Sequence, residues 1–475
     1  MIAIKAKKHD NFSVEFKFGF NCTVDGVADD FAVNAWIFVP NSLDITPENY
    51  GKNQFYRDIK SNVRLITPVY PLSEQAQETS MPMAFLTAAL KNLVTSPSDP
   101  SVIDSYEYHL KMFSAIFKSA LRDSTKNPTC SYVEDSRKVL SRFRDLYHII
   151  DIPAIPEKLK RSFRMCDEFM THVLDVRTMH LIKLVESSSD PQQSTLLKQK
   201  FIDLLTQEHA YRKEVGYAML TGEPEKDREL VHHYGMLKKY IESELYIRLD
   251  KKKDGIAVQQ IYYSMAAGVA MVFATAVSWH SQQKYGSVTW PLFVALVVSY
   301  MLKDRIKDLL RYYFAHKLGN KYYDKKAHIA IGKTKVGEIK EGFDFISTSK
   351  LPDEVKTMRE KSSFVEGESG IYDEKVLLYR QRVVLDEKAL TIKDQYPREG
   401  VNEILRLHLN RFTHKMDNPH LTVDTMNDDG NIVSFDVQKV YYVNVVFQLV
   451  HDKKIQYHQF RIGMTREGVI DIQTY

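Results

Sequence analysis

The sequence predicts a membrane α+β protein with a two-helix transmembrane hairpin in the middle of the chain. Two uncharged apolar runs lie close together near the centre of the 475 residues, helical periodicity precedes them, and strand-like alternation follows them. The expected parts are a small N-terminal β element (1–75), a cytoplasmic helical bundle (76–254), the hairpin (255–302), a juxtamembrane amphipathic helix (303–324) and a C-terminal antiparallel α+β domain (325–475).

The N-terminal half changes from strand-like to helical patterning. Residues 12–20, FSVEFKFGF, place phenylalanine and valine on one face and polar or small residues on the other, which predicts a half-buried strand. Residues 31–39, FAVNAWIFV, predict a more buried neighbour. Helical periodicity starts with a segment at 81–95, and the segment at 157–187 carries one apolar stripe. The stripe indicates packing against other helices, and hence a bundle.

The two central apolar runs predict the hairpin. No residue from Gly255 to Gln283 carries a fixed charge, and Ile261–His280 alone has about the 20 residues that cross a hydrocarbon core. The second uncharged run is Tyr285–Leu302. Soluble helices of this length carry charges on an outer face, and one central Lys or Asp would cost about 2.5–3.5 kcal/mol in lipid. The pattern therefore favours two transmembrane helices over two buried helices of a soluble core.

Basic residues on both sides of the hairpin predict its topology. The link between the runs offers only Lys284, and positive charge stays on the cytoplasmic side. The first thirty residues also contain no apolar core of signal-peptide length. We therefore expect a multi-pass protein with both termini cytoplasmic. The topology-setting residues are Arg248, Lys251, Lys252, Lys253, Lys303, Arg305, Lys307 and Arg311.

A stripe of small side chains marks one face of the first run. These residues recur at every fourth position and are Ala266, Ala270, Ala274 and Ser278. Small residues allow another helix to approach closely. The stripe predicts either packing of the hairpin on itself, against Ala295 and Ser299, or a surface for self-association.

The C-terminal part predicts an antiparallel sheet with one or two helices. Asp428-Asp429-Gly430 and His451-Asp452-Lys453 each separate two apolar-alternating segments, which indicates two β-hairpins. The helices are expected near 353–361 and 400–415.

No motif for catalysis, a cofactor or a metal occurs in the sequence. The pairs His232–His233 and His408–His414 lack Cys or carboxylate partners at ligand spacing. The three cysteines form no C-x-x-C pair and are expected to be reduced thiols; they are Cys22, Cys130 and Cys166. With 65 basic and 61 acidic residues, the net charge is only +4, so we expect no nucleic-acid partner.

The region from AAGVAMVFATAV to QKYGSVTWPLFVALVVSYMLKDRIKDLLRYYF, residues 266–314, resembles uncharacterised bacterial two-span inner-membrane proteins, most of all at the junction YMLKDRIKDLLR. The resemblance implies a bacterial inner membrane. It carries no activity and no functional residues.

These patterns favour a membrane-anchored protein that acts as a non-enzymatic scaffold or sensor. Its expected partners are the lipid bilayer and either another protein or a second copy of the chain. Two alternatives stay open. One is a membrane-tethered enzyme whose site is assembled from distant residues, and the other is an oligomeric hairpin effector that perturbs the bilayer.

Overall fold

A computed structural model describes the chain in two compact units. The sheet unit comprises 1–63, 247–394 and 399–475, and the helical unit comprises 64–246 and 395–398. The described residues are 2–21, 29–125, 129, 131–186, 191–247, 249–254, 256–286, 289–319, 323–331, 334–360, 374–386, 396, 400–428 and 430–475.

Strands and helices are numbered in chain order over the described residues. The strands are β1 (Ile2–Asp10), β2 (Ser13–Asn21), β3 (Asp29–Pro40), β4 (Ile59–Leu65), β5 (Leu249–Lys253), β6 (Lys325–Ile331), β7 (Thr334–Ile346), β8 (Glu374–Leu385), β9 (Gly400–His408), β10 (His420–Met426), β11 (Ile432–Gln438), β12 (Tyr441–His451), β13 (Lys454–Thr465) and β14 (Gly468–Thr474). The helices are α1 (Lys52–Asp58), α2 (Leu72–Gln75), α3 (Met81–Thr95), α4 (Pro100–Ser124), α5 (Ser131–Asp145), α6 (Tyr147–Ile150), α7 (Glu157–Glu186), α8 (Pro191–Val215), α9 (Pro224–Ile241), α10 (Ile256–Tyr285), α11 (Trp290–Gly319), α12 (Asp353–Glu360) and α13 (Asn410–Thr413).

Two sheets pack face to face in the sheet unit. One has the strand order β1-β2-β9-β4, and the other has the order β14-β13-β12-β3-β8-β7-β6-β5. Strand β2 alternates as the sequence predicts, and its inward side chains Phe16 and Phe18 contact Phe447 of β12 at ring-centroid distances of 4.9 and 5.5 Å. The aromatic layer between the sheets is the core of a β-sandwich.

The predicted separation of an N-terminal β element from a C-terminal domain is wrong. Strand β3 lies between β12 and β8 in the larger sheet, with Val33 opposite Leu449 on one side and Gln381 on the other. Strand β9 likewise pairs with β2 in the smaller sheet. Alternation in a sequence shows which face of a strand is buried, but it does not show which strand lies beside it. Strands from the two ends of the chain therefore form one sandwich.

A buried carboxyl group lies between the sheets. Glu403 of β9 is fully buried, and its Oε1 accepts hydrogen bonds from the Ser61 hydroxyl at 2.5 Å and the Gln381 amide at 2.7 Å. Burial raises the pKa of Glu403 above its ordinary value of 4.5, because a buried carboxylate loses its hydration. The protonated Glu403 therefore contributes to the stability of the folded protein. This contribution is fully present below the ordinary pKa, which is that of the unfolded chain, and it is lost as the pH rises through the raised pKa of the folded state.

We expect Glu403→Gln to remove this loss of stability. A glutamine keeps an oxygen that accepts both hydrogen bonds and has no proton to release, so the variant should match the wild type in acid and exceed it increasingly toward about pH 8. The measurement is the urea midpoint of the sheet unit as a function of pH.

Glu15 on the neighbouring strand β2 provides a control of opposite sign. Burial alone would raise its pKa, but hydrogen bonds from Arg406 and Lys7 outweigh burial and lower the pKa. Its contribution to stability is therefore lost as the pH falls, and Glu15→Gln should destabilise the protein at neutral pH. Parallel pH profiles for wild type and Glu403→Gln would contradict the assignment.

The helical unit contains α2–α9 and is organised around side chains on α5, α7 and α8. Arg144 of α5 donates to the Asp167 carboxylate at 3.0 Å and to both carboxylate oxygens of Glu208, at 2.8 and 3.2 Å. Its guanidinium also lies 3.5 Å from the ring centroid of Tyr211. Cys166 on α7 is buried, and burial raises the pKa of its thiol to about 12. The other two cysteines lie outside the described residues.

The predicted two-span hairpin is also wrong. Among the described residues, one helical stretch, Gln260–Tyr285 within α10, is long and apolar enough to cross a membrane. Helix α11 runs without a break from Trp290 to Gly319, so the predicted juxtamembrane helix is not a separate element. Its apolar part ends at Leu302, and at 1.5 Å per residue this part is about 20 Å long, against about 30 Å of hydrocarbon core.

The structure also corrects the predicted localisation, a multi-pass protein of the bacterial inner membrane with both termini cytoplasmic. A single candidate stretch does not support several spans. Three of the basic residues expected to lie before the first span, Lys251, Lys252 and Lys253, belong to β5, which is the edge strand beside β6. Helices α10 and α11 are therefore an insertion between two adjacent strands of the sheet.

Candidate functional surface on helices α10 and α11

Helices α10 and α11, which we call the apolar helix pair, carry the largest group of exposed large apolar side chains among the described residues. The two helices pack mainly on each other. Val272 of α10 is 70% exposed, and Trp290 at the start of α11 is 76% exposed, values unusual for large apolar side chains. Other exposed members are Ile261, Met265, Val269, Met271, Trp279, Phe293, Val297, Val298 and Met301.

The predicted small-residue stripe lies in the contact between the two helices. Ala266 and Ala270 are almost fully buried, and Ser299 of α11 donates a hydrogen bond to the Ala274 carbonyl at 3.3 Å. Ser278 is half-buried and bonds to the same carbonyl within its own helix. The stripe thus lies where α11 comes close to α10.

The basic residues of β5 are engaged in the sheet. Lys251 donates to the buried Glu341 carboxylate at 2.7 Å, and Lys252 and Lys253 lie opposite Lys326 and Lys325 of β6. Arg248 lies outside the described residues. Lys251, Lys252 and Lys253 were expected to orient a membrane span, but they lie in a strand at the edge of a sheet.

The basic residues of α11 lie beyond its apolar part. Lys303 lies 3.8 Å from the ring centroid of Tyr300, and Lys307 pairs with Asp304 at 3.1 Å. Arg311 lies over the Tyr263 ring of α10 at 5.4 Å, and Arg305 is exposed. These contacts leave a cationic band at one end of the exposed apolar surface.

A polar cavity of about 320 Å³ lies in the helical unit, a size that suits a small ligand. Hydroxyl groups and carboxylates line it, and its lining residues include no His, Cys or Lys. Burial raises the pKa of Asp135 at this cavity. The polar lining residues include Ser73, Ser119, Ser124, Ser131, Asp123 and Asp135.

Two of the four candidate histidines have ordinary partners. His233 contacts the Glu168 carboxylate at 3.0 Å, and His408 Nδ1 lies 2.9 Å from the Ser13 hydroxyl. His451 was not among these candidates, although it lies beside two aspartates. Its turn was recognised in the sequence, but Asp29 is 422 residues away, so no local spacing could have revealed the cluster.

Comparison with protein-family models, with curated proteins and with solved structures finds no match to this chain.

Proposed function

We propose that the protein is a non-enzymatic scaffold or sensor that attaches to a lipid surface through α10 and binds a further partner through its other parts. The exposed apolar side chains of α10 carry the proposal. Each Å² of apolar surface that is exposed to water costs about 25 cal/mol relative to burial. Attachment requires that α10 contact lipid, and it does not require either helix to cross a bilayer.

Exposure around the helix favours lipid over a protein as the occupant. Met271 and Val272 are adjacent in α10 and point in directions about 100° apart, yet both are more than half exposed. Val297 and Val298 of α11 are also adjacent, and they are 43% and 47% exposed. A second copy of the chain would cover one stripe of such a helix, whereas lipid surrounds all the sides that α11 leaves open. The cationic band that includes Lys303 and Arg305 would meet anionic head groups.

The polar cavity in the helical unit favours a sensor over a pure scaffold. Its hydroxyl groups and carboxylates can bind a small polar molecule. A sensor of this kind would join lipid attachment in one unit to ligand binding in the other.

Val272→Asp is expected to weaken lipid attachment by about 100-fold. Val272 lies at the centre of the Gln260–Tyr285 stretch, where an aspartate costs about 3 kcal/mol in lipid, and every 1.4 kcal/mol is a factor of ten. The measurement is flotation of the full chain with vesicles of phosphatidylcholine and phosphatidylglycerol.

Val231→Asp is the matched control, because Val231 of α9 is also a highly exposed valine, at 64%, on a helix with many charged residues. It should float as the wild type does. Wild-type protein that stays with the dense fraction as a soluble oligomer would overturn lipid attachment and favour self-association. Equal flotation of the two variants would also overturn the assignment to α10.

A further inference from the structure

One histidine and two aspartates converge at the end of the β12–β13 hairpin. His451 Nε2 lies 2.9 Å from Asp29 Oδ1 and 3.2 Å from Asp452 Oδ2. A ligand atom from each residue lies within 4.8 Å of the others. Asp29 and His451 are almost fully buried, at 3% and 8% exposure, whereas Asp452 faces solvent.

The fold holds all three side chains in place. Strands β3 and β12 pair so that Phe31 is opposite His451, and the two rings stack at a centroid distance of 4.3 Å. Asp29 is two residues from Phe31 on the same face of β3. Asp452 has a φ of 47° in the hairpin turn, a left-handed conformation that aspartate tolerates better than most residues. Neither the imidazole nor the Asp452 backbone needs to change for the three groups to meet.

An ion pair explains only part of this geometry. A hydrogen bond between His451 and Asp29 would compensate one buried carboxylate, as in many structural His–Asp pairs. Here a second carboxylate approaches the same nitrogen, which carries at most one proton. The carboxylates of Asp29 and Asp452 repel each other, and one proton on His451 Nε2 cannot compensate both of them. A divalent cation in place of that proton would compensate both carboxylates.

We propose that Asp29, His451 and Asp452 bind a divalent transition-metal ion of the Zn²⁺ or Co²⁺ type. Tetrahedral coordination with metal–ligand distances of about 2.0–2.1 Å places ligand atoms about 3.3 Å apart, close to the two separations from His451 Nε2. A neutral imidazole and two carboxylates carry charge −2, which balances the cation. The metal replaces the proton on Nε2, and water completes the coordination on the solvent side of Asp452. An imidazole ligand selects such ions over Mg²⁺ and Ca²⁺.

Titration calorimetry of the dialysed full chain with ZnCl₂ tests the proposal. We expect one ion per chain, and at least about tenfold weaker binding for Asp452→Asn, since the amide carries no charge. Asparagine also tolerates the left-handed conformation of the turn, so this variant should keep the fold. With CoCl₂, the wild type should show the visible absorption of tetrahedral Co²⁺.

Asp428→Asn is the matched control, because Asp428 is also an exposed aspartate next to a hairpin turn, between β10 and β11. It should bind Zn²⁺ as the wild type does. Equal affinity in wild type and Asp452→Asn would place the ion elsewhere and overturn the proposal, as would the absence of binding to the wild type. Asp29→Asn provides a second test, with circular dichroism to confirm that it folds.

Discussion

Replacing Arg144 with Met is expected to destabilise the helical unit by about 3–5 kcal/mol, the usual cost of removing one partner from a buried ion pair. The carboxylate side chains of Asp167 and Glu208 are only 4% and 8% exposed, so both would remain buried without the cation that compensates them. Hydrogen bonds from Tyr211 and Tyr217 to Asp167 would remain, but neither tyrosine reaches Glu208 in the described contacts. Methionine keeps much of the apolar stem of the arginine side chain, so the loss of stability is due mainly to the missing positive charge.

Two measurements follow this change. Urea unfolding gives the total loss, and amide hydrogen exchange shows whether α5, α7 and α8 lose protection together. Arg164→Met in the same unit is the control, because Arg164 pairs with Glu157 at the surface, where the side chains are 45% and 66% exposed. Such pairs contribute about 0–1 kcal/mol. If the two variants lost similar free energies of unfolding, burial of the Arg144 cluster would not determine how much this cluster contributes to stability.

Gly468→Ala is expected to cost several kcal/mol in the sheet unit. Gly468 has a φ of 135°, and an added Cβ would lie 2.1 Å from the Asn11 carbonyl oxygen. The same oxygen accepts a hydrogen bond from the Val469 amide at 2.6 Å, so the close approach connects the β13–β14 turn to the β1–β2 turn. Backbone strain and steric overlap each cost about 1–3 kcal/mol. The measurement is thermal unfolding of the full chain in detergent.

Gly268→Ala in α10 is the control within the same unit. An added Cβ there meets no other atom within 4 Å, and alanine is favoured over glycine in a helix by about 0.5–1 kcal/mol. It should leave the melting temperature unchanged or raise it slightly. A neutral Gly468→Ala variant would mean that the two turns separate at little cost.

Local patterns in the sequence predicted individual elements well. The helices expected at 81–95 and 353–361 are confirmed as α3 and α12, and the two hairpins as β10–β11 and β12–β13. The helix expected near 400–415 is wrong over its first part, which is β9. Val401, Glu403, Leu405 and Leu407 all point inward, and the buried glutamate concealed the strand alternation.

Pairings over long distances could not be predicted. Nothing near residues 29–40 indicates that β3 will lie between β8 and β12, because both partners are hundreds of residues away in the chain. Lys251, Lys252 and Lys253 resembled a membrane flank because their partners on β6 and β7 are also remote. The Asp29–His451–Asp452 cluster has no local sequence signal, because Asp29 and His451 are 422 residues apart.

The position of the apolar helix pair makes it separable from the sandwich. It leaves the sheet at Lys253 and returns at Lys325, and these two residues are directly opposite each other in adjacent antiparallel strands. A turn of a few residues could join them without altering any other strand of the sheet. The pair is thus an insertion in the loop of a β-hairpin. Such an insertion can be added, exchanged or removed, in evolution or by protein engineering, while the surrounding strands are retained.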